Sequence, residues 1–138
     1  MKTKKRAGFE EVPHTADWSI RVWAPDLAEL FVQAAAGMQT LMGVSYAGVE
    51  RKERQIDVRA DDAESLLVTF LNELLFWIEM EKCACDRFSL SLDGYHLTGR
   101  GECGKTLSIG KEIKAVTYHR LKIDAGEESF QTTIVFDV

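Results

Sequence analysis

The sequence predicts an α+β fold, a single domain in which two helices pack on a mixed, mostly antiparallel β-sheet. Two segments carry apolar residues at helical spacing, and the second half of the chain alternates apolar and polar residues as strands do. The chain has 138 residues, which is enough for one domain with a sizeable hydrophobic core. Because no repeat or linker interrupts it, we expect one folded unit.

The first helix is predicted by its two ends. Asp26 is a favourable N-cap, Glu29 lies three residues later as in a capping box, and Gly43 is a natural stop. Strands are predicted ahead of this helix at 9–12 and 18–23. The helix should bury one apolar stripe, formed by Leu27, Leu30, Phe31, Ala34, Met38, Leu41 and Met42.

The second helix is predicted to begin at Asp61 or Asp62, with Glu64 placed for a capping box. Phe76 and Trp77 fall off its apolar stripe, so they are either buried by a second neighbour or offered to a partner. Burial is the favoured interpretation. The stripe itself consists of Leu67, Phe70, Leu71, Leu74, Leu75 and Ile78.

The remaining segments predict strands. Asp93 and Gly94 are typical of a tight turn, Gly99 and Gly101 of a bulge or a close backbone approach, and 104–110 of a loop. The predicted strands span 54–59, 88–93, 95–103, 113–124 and 130–138.

Charge and targeting patterns limit the function classes. The net charge is −5 and the isoelectric point is about 5.2, which argues against a domain that wraps the nucleic-acid backbone. An acidic protein can still bind an RNA enzyme. No apolar run reaches the ~20 residues that span a bilayer. We expect residues 1–8 to form a short disordered basic tail, without the apolar core of a signal peptide, and 9–138 to form the domain.

The three cysteines, Cys83, Cys85 and Cys103, are odd in number, and two of them lie too close in sequence to pair comfortably. This usage is typical of a reducing compartment and predicts a cytoplasmic protein. The spacing is a poor zinc motif. Three structural thiols are therefore expected.

The tetrapeptide His-Thr-Ala-Asp at 14–17 places an imidazole and a carboxylate at the entrance to a predicted strand. Such groups are costly to bury without partners, so a cleft is favoured over the core. If the two ends of the chain meet, Asp17, Asp137 and an oxygen of Val138 form an oxygen-rich site for a hard cation. The alternative is that Asp17 caps a turn and Asp137 is a solvated strand end.

Other polar residues give weaker signals. His14 is a candidate ligand, general base or turn residue, and the last is the usual case. Alternation places Thr117 and His119 on one face of a predicted strand, as a buried hydrogen-bond pair, and Lys114 on the other. No catalytic triad, nucleophile elbow, phosphate loop or dinucleotide fingerprint is present. We therefore predict no catalytic residue and no cofactor-binding residue.

Together, four segments resemble the archease family, in the right order along the chain. They are HTAD at 14–17, LNELLF at 71–76, IKAVTYH at 113–119 and VFDV at 135–138. The resemblance covers nearly the whole chain from about Phe9 onward.

The resemblance implies a non-enzymatic protein cofactor of the RtcB-type RNA ligase, which joins 2′,3′-cyclic-phosphate or 3′-phosphate ends to 5′-hydroxyl ends in tRNA splicing and RNA repair. Archeases promote the GTP-dependent guanylylation of the ligase histidine and allow multiple turnover. RNA would be contacted only through the ligase, and no membrane is involved.

The resemblance also implies a metal site. It is described in the family with calcium, and it maps onto Asp17, Asp137 and the main chain of Val138; magnesium and manganese are alternatives. His14, Lys114 and His119 match family motifs as supporting residues without assigned roles. Two other functions stay open: a metal-dependent phosphoester hydrolase using His14, Asp17 and Asp137, and a chaperone-like binding module using Phe76 and Trp77.

Overall fold

The structure, a computed structural model, describes residues 6–13 and 17–138. These residues form two helices on antiparallel sheets, so the predicted fold class is confirmed, with two separate sheets in place of one mixed sheet. Of the predicted basic tail, residues 1–5 lie outside the described part, and the first strand already begins at Gly8. In chain order the elements are β1 (Gly8–Glu11), β2 (Trp18–Ala24), α1 (Leu27–Met42), β3 (Ser45–Tyr46), β4 (Lys52–Arg59), α2 (Ala63–Glu79), β5 (Cys83–Asp93), β6 (His96–Ser108), β7 (Ala115–Val116), β8 (Asp124–Ala125) and β9 (Phe130–Asp137).

The first sheet has the strand order β1-β2-β9-β7, and β8 also pairs with β9. Strand β2 pairs antiparallel with β9 over its whole length, from Trp18 opposite Phe136 to Ala24 opposite Phe130. Along β9, alternate side chains enter the core, as the sequence predicts. The first and last parts of the domain are therefore neighbours in one sheet.

The second sheet is built around β6, which pairs with β3, β4 and β5. The hairpin from β5 to β6 pairs Asp93 with His96, so the tight turn consists of Gly94 and Tyr95. Gly99 has a φ of 153°, and a Cβ there would collide with the carbonyl oxygen of Ser89. The close backbone approach predicted at Gly99 is thus present.

The loop predicted at 104–110 is wrong for its first half, because β6 continues to Ser108. The backbone N–H of Ala47 donates to the carbonyl of Lys105, at 2.8 Å, and Cys83 of β5 lies opposite Lys105. A Cβ at Gly104 would collide with the Ala47 carbonyl oxygen. Gly104 therefore permits close strand packing here and does not end the strand.

The prediction of one long strand at 113–124 is also wrong. Only the two-residue strands β7 and β8 lie at its ends. Between them the backbone N–H of Leu121 donates to the carbonyl of Tyr118, and Arg120 has a φ of 53°. This left-handed turn breaks the strand although the residues alternate as strand residues do.

Both helices begin at the predicted caps. The Asp26 carboxylate accepts a hydrogen bond from the N–H of Glu29 at 2.8 Å, and Asp62 accepts one from Ser65 at 2.7 Å. Gly43 ends α1 in the left-handed conformation with a φ of 62°. No helix in the described part of the chain is both long enough and apolar enough to cross a membrane.

The core lies where the helices meet each other and the sheets. The rings of Phe31 in α1 and Phe70 in α2 stack with centroids 5.8 Å apart. Phe70 also meets Phe88 of β5 edge-on at 5.9 Å. Because Phe70 is 1% exposed, it joins both helices to the second sheet within the dry interior.

Phe76 and Trp77 have opposite environments. Trp77 is buried, its indole N–H donates to Glu73 at 2.9 Å, and the guanidinium of Arg54 lies 4.1 Å from the ring centroid. Phe76 is 51% exposed. The predicted burial is therefore confirmed for Trp77 and wrong for Phe76.

The prediction of three structural thiols is wrong for two of the cysteines. Cys85 and Cys103 lie directly opposite each other on β5 and β6, and their sulfur atoms form a disulfide. Cys83 remains a free thiol. The pairing depends on the register of the hairpin, which includes a bulge between Asp86 and Ser89. Cysteine spacing alone does not reveal that register.

Candidate metal site

The pairing of β2 with β9 sets the positions of the two predicted carboxylates. Trp18 and Phe136 are paired residues; Asp17 directly precedes the first and Asp137 directly follows the second. Both aspartates are exposed, and Val138 is 41% exposed. The backbone positions of the three predicted metal-site residues therefore lie together at one end of the first sheet.

Strand β7 secures the end of β9. The backbone N–H of Lys114 donates to the carbonyl oxygen of Asp137 at 2.7 Å, and Ala115 pairs with Asp137. Farther along, the N–H of Thr117 donates to the carbonyl of Val135 at 3.1 Å. The main chain at Asp137 is thus bonded on the β7 side, while its side chain stays exposed.

An amide side chain from α2 fixes β7 in turn. The Asn72 Nδ2 group donates to the carbonyl of Val116 at 3.3 Å, and the Val116 N–H donates to Asn72 Oδ1 at 3.0 Å. Val116 is only 4% exposed, so these bonds satisfy backbone groups that water reaches poorly. We interpret Asn72 as a positioning residue for Asp137. The sequence holds one signal for this role, because Asn72 is an amide side chain set among apolar residues of the helix.

A second missed contact lies next to Asp17. The ammonium of Lys111 lies 4.5 Å from the ring centroid of Trp18, and the Lys111 N–H donates to the carbonyl of Met42 at 2.8 Å. The segment after β6 is thereby held against the start of β2, with a cation beside the residue that follows Asp17.

The predicted supporting residues have different positions. His14 lies outside the described residues. Lys114 contacts Asp137 through its main chain, and its side chain is exposed. His119 is exposed, and its backbone N–H donates to Thr117 Oγ1 at 3.3 Å. The predicted buried pair of Thr117 and His119 side chains is therefore wrong, because the chain turns at Tyr118 and the alternation does not continue.

The available donors suit a hard cation. Two carboxylates and a main-chain oxygen are ligands that calcium, magnesium and manganese accept. Exposure at all three positions leaves room for water to complete a coordination shell of about six to eight oxygens. The residues therefore fit the predicted class of metal.

Comparison with known proteins gives the family. A family model described as the Archease protein family (MTH1598/TM1083) matches residues 9–138. The chain belongs to the archease family. The resemblance drawn from four short segments is thereby confirmed, over the same part of the chain.

Archease relatives come from different domains of life. The chain is 36% identical to the protein archease of Thermococcus kodakarensis over 126 residues, which cover 84% of this chain and 87% of the relative. It is 31% identical to the protein archease of Methanothermobacter thermautotrophicus, covering 95% and 99% of the two chains. A Drosophila melanogaster protein named archease-like is 30% identical, covering 94% and 90%.

Solved archease structures share the fold. The crystal structure of a Thermotoga maritima protein, described as an archease and possible chaperone, superposes with a TM-score of 0.72 at 25% identity, covering 94% of this chain and 96% of that one. The solution structure of Methanobacterium thermoautotrophicum protein 1598 gives 0.70 at 27% identity, covering 95% and 99%.

Proposed function

We propose that this archease is a non-enzymatic activator of an RtcB-type RNA ligase in tRNA splicing and RNA repair. It promotes guanylylation of the ligase histidine and multiple turnover in the cytoplasm, and it contacts RNA only through the ligase. The observation that carries the proposal is the pairing of Trp18 with Phe136, which sets Asp17 and Asp137 at one exposed sheet end.

The exposed sheet end is suited to a partner's active site. Asp17, Asp137 and the main chain of Val138 would hold a divalent cation, with calcium the first candidate and magnesium or manganese the alternatives. When bound, such a cation supplies positive charge that orients phosphate oxygens. The chain's own contribution is rigidity, because β2, β7 and β9 fix the backbone from which these oxygens extend.

The overall charge supports binding to the ligase in preference to RNA. A net charge of −5 repels the phosphate backbone and attracts a basic protein surface. The exposed sheet end carries Asp17 and Asp137, so it is attracted to a region where a ligase binds nucleotide phosphates with cationic groups. The same attraction would bring the Asp17 and Asp137 carboxylates close to those cationic groups.

The direct test is guanylylation of a purified ligase with and without this protein. Asp17→Ala and Asp137→Ala are each expected to reduce the stimulation by about tenfold or more, since each removes a charged ligand. Circular dichroism should show an unchanged fold, because both side chains are exposed. Asp124→Ala is the matched control, an exposed carboxylate on β8 of the same sheet, and should retain full stimulation. Full stimulation by both site variants would rule the mechanism out.

A second candidate function is a chaperone-like binding module. Phe76 is 51% exposed and Met80 is 69% exposed, and they lie one helical turn apart at the end of α2. This function predicts that Phe76→Ser and Met80→Ser weaken partner binding more than the carboxylate variants do. Tyr95→Ser is the control, a 52% exposed aromatic at the distant β5–β6 turn. The hydrolase alternative predicts phosphoester turnover by the isolated protein with added metal.

A further inference from the structure

Three cysteine sulfur atoms lie together on the second sheet. The Sγ atoms of Cys83, Cys85 and Cys103 are all within 4.8 Å of one another. Cys85 and Cys103 form a disulfide, and Cys83 is free. A free thiol this close to a disulfide is placed for thiol–disulfide exchange with it.

The three cysteines differ in their access to solvent. Cys85 is 2% exposed and Cys103 is 1% exposed, whereas Cys83 is half-buried. Cys83 lines a cavity of about 400 Å³, of which Cys103 forms another part of the wall. A dissolved disulfide compound therefore meets Cys83 before it can reach the buried pair.

Cationic side chains outnumber anionic ones around Cys83. Lys52, Lys82 and Lys105 line the same cavity together with Glu50 and Glu81, and this excess of one positive charge favours a ligand that carries carboxylates. The guanidinium of Arg54 interacts electrostatically with the Cys83 sulfur. The thiolate form of a cysteine is the nucleophile in thiol–disulfide exchange.

The contact with Arg54 is part of a wider arrangement. Arg54 also forms an ion pair with Glu81 at 3.2 Å and lies over the ring of Trp77. Burial lowers the pKa of Arg54, but its interactions with Glu81 and Cys83 outweigh burial and hold that pKa above its ordinary value. The guanidinium therefore stays charged beside the thiol.

We propose that Cys83 is an S-thiolation site through which a low-molecular-weight disulfide carrying carboxylates oxidises the buried pair Cys85 and Cys103. The proposal is independent of the ligase and of the exposed sheet end that carries Asp17 and Asp137. It explains how a pair shielded from solvent reaches the disulfide state.

The exchange takes place in three balanced steps. The Cys83 thiolate attacks one sulfur of the dissolved disulfide, forms a mixed disulfide and releases the first thiolate. The Cys103 thiolate then attacks the Cys83 sulfur and releases the second. Finally the Cys85 thiolate attacks the Cys103 sulfur, which forms the Cys85–Cys103 disulfide and returns Cys83 to a thiolate. The two released thiolates take up the two protons lost by Cys85 and Cys103.

The test is oxidation of the fully reduced protein by oxidised glutathione, without oxygen and with a metal chelator. Samples are quenched with an alkylating reagent and read by intact mass. The wild type should reach the internal disulfide with one alkylated cysteine. Cys83→Ser should form the same disulfide about tenfold or more slowly, because the accessible thiolate is gone. Equal rates for Cys83→Ser and wild type would overturn the proposal.

Three further variants test the proposal without depending on the folding of Cys83→Ser. The double variant C85S/C103S should accumulate a single glutathionyl group on Cys83, and failure to form that adduct would contradict the proposed entry point. Arg54→Gln should slow the first step. Arg87→Gln should not, since Arg87 forms an ion pair with Glu102 at 3.3 Å on the same sheet. Equal slowing by both arginine variants would exclude the role assigned to Arg54.

Discussion

Replacing Asn72 with alanine removes both hydrogen bonds between α2 and strand β7. The side chain donates to the Val116 carbonyl at 3.3 Å and accepts from the Val116 N–H at 3.0 Å. Alanine is a good helix former, so the helix itself should persist. The change therefore isolates the link that holds β7, and through β7 the backbone of Asp137.

The expected cost follows from these two bonds. Each hydrogen bond contributes about 1 kcal/mol net, and a buried backbone group left without a partner costs about 1–3 kcal/mol. Val116 is 4% exposed, so water replaces the lost partners poorly. We expect the free energy of unfolding to fall by about 2–4 kcal/mol. Because β7 should open more often in Asn72→Ala, hydrogen exchange of the Val116 amide should accelerate roughly 30- to 1,000-fold relative to wild type.

Urea denaturation gives the loss of stability, and amide hydrogen exchange gives the local opening. Thr69→Ala on the same helix is the control, because its exposed hydroxyl donates to the Ser65 carbonyl within the helix, at 2.8 Å. That variant should stay within about 0.5 kcal/mol of wild type. If Asn72→Ala were equally stable and its Val116 amide equally protected, the role of Asn72 as a positioning residue would be refuted.

Two other predictions concern the core and the pH dependence of stability. Phe70→Ala should lower the free energy of unfolding by about 3–5 kcal/mol in urea denaturation, because it opens a cavity between both helices and β5; a loss under about 1 kcal/mol would contradict that packing. Burial, and then repulsion from Glu112, raise the pKa of Glu79. The native state therefore loses stability as pH rises from the ordinary glutamate pKa through the raised one. At pH 7 the free energy of unfolding of Glu79→Gln should exceed that of wild type by less than about 1 kcal/mol. The variant should therefore melt at a higher temperature, and its stability should depend less on pH. A lower melting temperature for Glu79→Gln would disprove this.

Local signals in the sequence predict much of the fold. Asp26 and Asp62 cap the helices because their carboxylates reach N–H groups three residues later, an interaction that needs no distant partner. The alternation in β9 likewise reflects one buried face. The loop prediction at 104–110 fails because contacts with a distant segment determine the structure there. Gly104 lets β6 continue where the carbonyl oxygen of Ala47, directly after β3, approaches closely. The failure at 113–124 is local, because the turn at Arg120 overrides an alternating pattern.

In the candidate site, too, residue types are predictable from the sequence, whereas contacts between distant elements are not. Residue types at 17 and 137 indicate hard-cation chemistry, but they are 120 positions apart, and only the register of β2 on β9 brings their backbones together. Asn72 and Lys111 were missed because their contacts cross between elements. The Cys85–Cys103 pair was missed because it depends on the bulged register of a hairpin.

The central claim is that the two strand ends supply carboxylates to one cation, and a calorimetric titration of the purified protein with calcium tests it most directly. Wild type should bind one calcium ion. Asp17→Asn and Asp137→Asn should each bind about tenfold or more weakly, while Asp124→Asn binds as wild type. Absence of calcium, magnesium and manganese binding to wild type, or equal affinity in all four proteins, would contradict the account.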